Sequence, residues 1–170
     1  MAPLPDLEQL YDEHAQALFA FLMHFTRNEA DTHDLLQEVF VKLARTPSLI
    51  RNIRDERHFL LRLAHNLAID MIRRRGAREK KHERLAAESL DLFAAAETSN
   101  ELAFQKALTG ALGMLPADQR AVVHLKLWEE LTFDQIAQLL EIPANTAASR
   151  YRYGLDKLRE CLRPLYDEMK

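Results

Sequence analysis

Thr146, Ser149, Arg150 and Tyr153 fall on one face of a helical pattern, with Arg152 and Lys157 at its margins. Hydroxyl and guanidinium groups gathered near a helix N-terminus are the chemistry that reads major-groove base edges and grips phosphate. A second set, Arg62, Asn66, Asp70 and Arg73, recurs at spacings of four, four and three and lines one face of another helix. It runs on through Arg74 and Arg75 into a basic stretch, RRRGAREKKHER, which is followed by acidic residues such as Glu88, Asp91 and Glu97. A third set, Asp34, Gln37, Glu38 and Val41, places carboxylates beside an outward valine, which suits a protein partner better than DNA.

Catalytic chemistry has little to stand on. The seven histidines make no paired metal spacing such as HExxH, the four glycines form no phosphate loop, and no nucleophile has a recognisable base beside it. The expectation is therefore no catalytic residue, no metal and no cofactor. The single cysteine, Cys161, has no internal disulfide partner; with Leu158 and Leu162 on the same helical pattern it is expected to be a buried or half-buried structural thiol.

These sets need helices to position them. Nearly half of the 170 residues are apolar, recurring three and four apart among Ala, Leu, Glu, Arg and Gln, so an all-α fold is expected. A first helix is expected over about residues 6–26, with Leu7, Leu10, Tyr11, Leu18, Phe21, Leu22 and Phe25 inward. Asn28 and Asp31 offer caps for a second, which Pro47 stops; its Leu35, Leu36, Val39, Phe40 and Leu43 belong to the core. A third starts near Asp55, burying Leu60, Leu63, Ala64, Leu67, Ala68 and Met71, and continues into the arginine run. Residues 1–80 thus make one helical bundle, residues 81–99 an acidic, alanine-rich linker, and residues 100–170 a second small domain.

The second domain carries the sharpest signal. Thr132 with Gln135 three residues on is a capping box for a short helix whose Ile136, Ala137, Leu139 and Leu140 face inward. Glu141, Ile142 and Pro143 end it, and Pro143 or Asn145 starts the next, with Ala147, Tyr151, Leu155, Leu158 and Leu162 on its buried stripe. Two helices of these lengths around a tight turn form a helix-turn-helix.

Residues 115–162, LPADQRAVVHLKLWEELTFDQIAQLLEIPANTAASRYRYGLDKLRECL, resemble the fourth domain of sigma factors of the extracytoplasmic-function (ECF) group. DTHDLLQEVFVKLA and HFLLRLAHNLAIDMIRRR resemble the polymerase-binding and promoter-opening helices of their second domain. The resemblance implies a sigma factor that binds core RNA polymerase and directs promoter-specific initiation. It implies minus-ten contacts from Arg62, Asn66, Asp70, Arg73 and Arg74, with Asn66 pairing with a base edge, Asp70 positioning and the arginines holding phosphates. It implies minus-thirty-five contacts from Thr146, Ser149, Arg150, Arg152 and Tyr153, and polymerase contacts from Asp34, Gln37, Glu38 and Val41. Core RNA polymerase, promoter DNA and an anti-sigma protein are the implied partners. The net charge of −3 predicts a weak DNA binder when alone. The longest apolar runs fall short of a membrane span and no signal-peptide pattern opens the chain, so a cytoplasmic protein without membrane insertion is expected. The rival is an autonomous dimeric helix-turn-helix regulator, which would need a self-complementary interface and a palindromic site.

Overall fold

The first three α-helices each start where a side chain supplies an acceptor for their first free amides. The computed structural model describes residues 3–78 and 99–168. Asp6 accepts from the Glu8 amide at 3.0 Å and opens α1, Leu7–Thr26. Asn28 accepts from the Asp31 amide at 3.0 Å and opens α2, Glu29–Arg45. Of the two residues able to cap this helix, Asn28 does so, leaving the Asp31 carboxylate for another role. A 3-10 turn, Pro47–Ile50, follows; Asp55 then accepts from the His58 amide at 3.0 Å at the start of α3, Glu56–Arg78. Such caps typically contribute about 1 kcal/mol each.

The chain divides into two compact units, Met1–Glu83 and Arg84–Lys170. In the first, α1, α2 and α3 pack on one another around Leu18, Phe21, Leu22, Val39, Leu43, Leu60 and Leu61. Burying each of the larger of these side chains contributes about 1.5–3 kcal/mol. The expected inner face of α3 is found, though Met71 is only half-buried. Three more expected core residues lie further out: Leu7 is half-buried, Tyr11 is exposed and Phe40 is half-buried, the last two with their rings meeting edge to face at 5.1 Å. Rings on the flank of an apolar stripe find shelter in each other where no third helix covers them.

The second unit comprises α4 (Ser99–Met114), α5 (Ala117–Leu127), α6 (Phe133–Leu140) and α7 (Ala144–Glu168). Ala111, Leu112, Leu115, Val123 and Leu158 form a core against which Leu108, Tyr151, Leu155 and Leu162 pack. Between α4 and α5 the buried Arg120 donates to the carbonyls of Gly113 at 3.1 Å and Leu115 at 2.7 Å, satisfying acceptors that the helix end leaves open. At Gly154 α7 passes close to α5: a Cβ there would stand 2.7 Å from Val123 Cγ2. Cys161 is exposed, contrary to expectation. It lies about 80° around the helix from the centre of the buried stripe, at 100° per residue, too far for the neighbouring helices to cover.

All described secondary structure is helical, with no strand among the described residues. No helix among them is long and apolar enough to cross a membrane. The expected linker, residues 81–99, lies outside the described residues except for Ser99, which begins α4.

Candidate nucleic-acid and partner interfaces

On α3 the spacing of four, four and three does what it should. Arg62, Asn66, Asp70 and Arg73 are all exposed, as is Arg74, while Leu63, Ala64, Leu67 and Ala68 turn inward between them. The Asn66 amide makes no side-chain hydrogen bond to a described residue, so its donor and acceptor both face outward. Arg75, read from sequence as part of a phosphate-holding run, has a partner within the bundle: its Nη1 lies 2.7 Å from Asp31 Oδ2 at the start of α2. With the two 44 positions apart in sequence, no local spacing announces this ion pair.

On α2 the expected outward face is present, with Asp34, Gln37, Glu38 and Val41 all exposed. Beside it α1 and α2 enclose a shallow groove lined by Leu7, Tyr11, Leu36, Gln37, Phe40 and Val41. The displaced rings of Tyr11 and Phe40 thus build an apolar floor next to Gln37 and Val41 of that outward face. Sequence periodicity alone assigned both rings to the core, because a stripe edge and a stripe centre look alike in a linear pattern.

The helix-turn-helix forms as its caps dictate. The Gln135 amide donates to Thr132 Oγ1 at 3.1 Å and the Thr132 amide to Gln135 Oε1 at 2.9 Å, closing the box that opens α6. Glu141 ends α6 in a left-handed conformation, φ 58°, and the Ala147 amide then donates to the Pro143 carbonyl at 3.1 Å. Pro143, rather than Asn145, therefore launches α7. Thr146, Ser149 and Arg150 are half-exposed there, and Arg152 and Tyr153 fully so.

Several of these groups are already engaged. Ser149 Oγ donates to the Thr146 carbonyl at 3.0 Å, which fixes its rotamer. Arg150 Nε lies 3.4 Å from Asp118 Oδ2 on α5, and the Arg152 guanidinium sits 5.4 Å from the centre of the Tyr153 ring. Asp118 is a participant that sequence reasoning missed. It stands in the first turn of α5, where an acidic residue is already explained by the helix dipole, so nothing local sets it apart.

Residues 10–78 match the Sigma-70 region 2 family and residues 105–158 the Sigma-70 region 4 family. The chain is 31% identical over 165 residues to the ECF RNA polymerase sigma factor SigL of Mycobacterium tuberculosis, a span covering 94% of this chain and 90% of that protein. The chain belongs to the ECF RNA polymerase sigma factors.

SigX of Bacillus subtilis is 27% identical over 165 residues, covering 94% of this chain and 85% of its own. SigE of Mycolicibacterium smegmatis is 30% identical over 168 residues, but the matched span is only 63% of that longer protein. Among solved structures, the sigma factor RpoE from Bartonella quintana, crystallised with the anti-sigma factor NepR, shares the fold at a TM-score of 0.72 and 20% identity, over 92% of this chain and 96% of that one. As a sigma factor of this family the chain directs transcription initiation. The α2 and α3 faces lie inside the region 2 match, and the helix-turn-helix lies inside the region 4 match except for the end of α7.

Proposed function

We propose that this sigma factor recruits core RNA polymerase through the outer face of α2 and reads its promoter with two separate helix faces. Residues 1–80 carry polymerase binding and minus-ten opening, residues 81–99 tether the two readers, and residues 100–170 carry minus-thirty-five recognition. The observation that carries this reading is the α3 face, where an outward asparagine amide stands among Arg62, Arg73 and Arg74, all exposed. An amide can pair with a base edge only once that base is outside the duplex, and neighbouring guanidinium groups hold the phosphates of the unpaired strand.

Asp34, Gln37, Glu38 and Val41 meet the polymerase, with the Tyr11–Phe40 floor beside them giving a partner helix somewhere to rest apolar side chains. An anti-sigma protein covering the same face would compete directly. On α7, Thr146, Ser149, Arg150, Arg152 and Tyr153 face the minus-thirty-five duplex. The protein performs no chemistry of its own and works in the cytoplasm, where the polymerase is. With a net charge of −3, each reader is weak alone. Bound to polymerase, the second contact becomes effectively intramolecular and the two affinities multiply.

Run-off transcription with purified core polymerase, paired with gel shifts of the factor alone, tests this reading. Specific transcripts should require both components and should fall on Glu38→Lys or Arg150→Glu. A protein that shifts promoter duplex alone as a dimer and never stimulates core polymerase would replace this reading with an autonomous regulator.

A further inference from the structure

Away from all three faces, the fold brings together a group that the sequence keeps 42 positions apart. Glu13 and His14 lie on α1 and Glu56 in the first turn of α3. His14 Nε2 is 3.8 Å from Glu13 Oε2 and 3.8 Å from Glu56 Oε2, and the three ligand-type atoms all lie within 4.8 Å of one another.

His14 is the informative member. Its side chain is 13% exposed, both ring nitrogens are shielded from solvent, and neither has a hydrogen-bond partner among the described residues. A buried polar atom left without a partner forfeits the hydration it had in the unfolded chain, which makes such atoms uncommon. At 3.8 Å the carboxylates are too far to relieve this by hydrogen bonding, yet each has an oxygen at that distance from Nε2. Glu13 is also held from behind, since Gln9 Nε2 donates to its Oε1 at 3.0 Å and leaves Oε2 for the shared space.

We infer that Glu13, His14 and Glu56 form a binding site for a first-row divalent metal ion such as Zn2+, with one imidazole nitrogen, two carboxylate oxygens and a fourth position for water. One nitrogen and two oxygens are an ordinary ligand set for such ions. Metal–ligand bonds of about 2.0–2.2 Å in tetrahedral geometry place donors about 3.3–3.6 Å apart, so the observed separations must shorten by about 0.2–1.5 Å. The two glutamates are 52% and 40% exposed, which leaves room for Glu56 to swing in and for Glu13 to pivot on its bond to Gln9 while the buried imidazole stays fixed. The site is assembled by the ion rather than waiting for it, and its affinity is correspondingly modest.

A bound ion would tie α1 to the first turn of α3. It would thereby stiffen the segment between the 3-10 turn and α3, where Asn52 adopts a left-handed conformation, φ 65°. The effect of that stiffening on promoter opening rests on the proposed role of α3; metal binding itself does not.

The test uses the full-length, untagged, chelator-treated protein. Co2+ titration followed by visible absorption and Zn2+ titration by calorimetry should both saturate at one equivalent. His14→Gln and Glu56→Gln should each weaken binding about tenfold or more, and Zn2+ should raise the thermal midpoint of the wild type but not of Glu56→Gln. Glu56 is half-exposed and its amide is isosteric with the carboxylate, so Glu56→Gln keeps the fold if removing His14 does not. Absence of saturable binding up to millimolar metal, or binding undiminished in Glu56→Gln, overturns the site whatever the transcription assay shows. A loss of promoter activity in these variants without any metal binding likewise overturns it, while leaving the role of α3 intact.

Discussion

Two of the three helices that present polar faces in this sigma factor, α3 and α7, do so in different ways. On α3, Asn66 stands exposed without a side-chain hydrogen bond to any described residue, and the nearest ion pair to the basic run anchors Arg75 back into the bundle. On α7, Ser149 is bonded to its own helix, Arg150 is paired with Asp118, and Arg152 lies against Tyr153. A side chain with no internal partner loses more rotamer freedom on binding but has no internal bond to break. A braced one is pre-oriented but must exchange one partner for another. The first arrangement suits a base that arrives in many orientations, the second a regular duplex whose phosphates stand at fixed spacing.

Breaking the α3 face should have the largest effect. Asn66→Ala should lower run-off transcription about tenfold or more, in line with about 1–3 kcal/mol for a good amide–base pairing. Urea melts should show no loss of stability, because alanine suits an exposed helix site at least as well. If transcription is unchanged, the α3 face does not read bases. Arg150→Ala should be the next largest: about three- to tenfold weaker promoter binding by the holoenzyme, with the salt dependence of binding reduced by about one phosphate contact.

Gly154→Ala probes the frame rather than the face. The added methyl meets Val123, so the variant should lose about 1 kcal/mol in denaturant unfolding despite alanine's better helix propensity. A gain in stability would mean that α5 and α7 separate easily and that the braced face is not rigidly held. Asp118→Asn sharpens the comparison with the smallest effect. Freed from its carboxylate, Arg150 should bind nonspecific duplex slightly more tightly, by less than about threefold, while the preference for promoter over nonspecific DNA falls. Equal tightening on both DNAs would mean that Asp118 only screens charge and does not orient.

The helices and their caps were legible because their determinants are local. Asp6, Asn28 and the Thr132–Gln135 box each act within three residues, and the stripe on α3 needs only its period. The exposed positions of Asn66 and Glu38 follow from the same period. What escaped was either long-range or at the edge of a stripe. Asp31 and Arg75, Asp118 and Arg150, and Glu13, His14 and Glu56 meet only after the bundles close. Tyr11, Phe40 and Cys161 fit an apolar pattern in one dimension, yet they lie where neighbouring helices leave it uncovered.

The hydrogen atom that serves as the side chain of Gly154 has a reach beyond packing. It lets α7 lie close on α5, and so sets the angle at which the hydroxyl and guanidinium groups of the helix-turn-helix leave the domain. On the proposed role of α7, promoter preference depends partly on the back of that helix, at a buried residue turned away from the proposed DNA-facing groups.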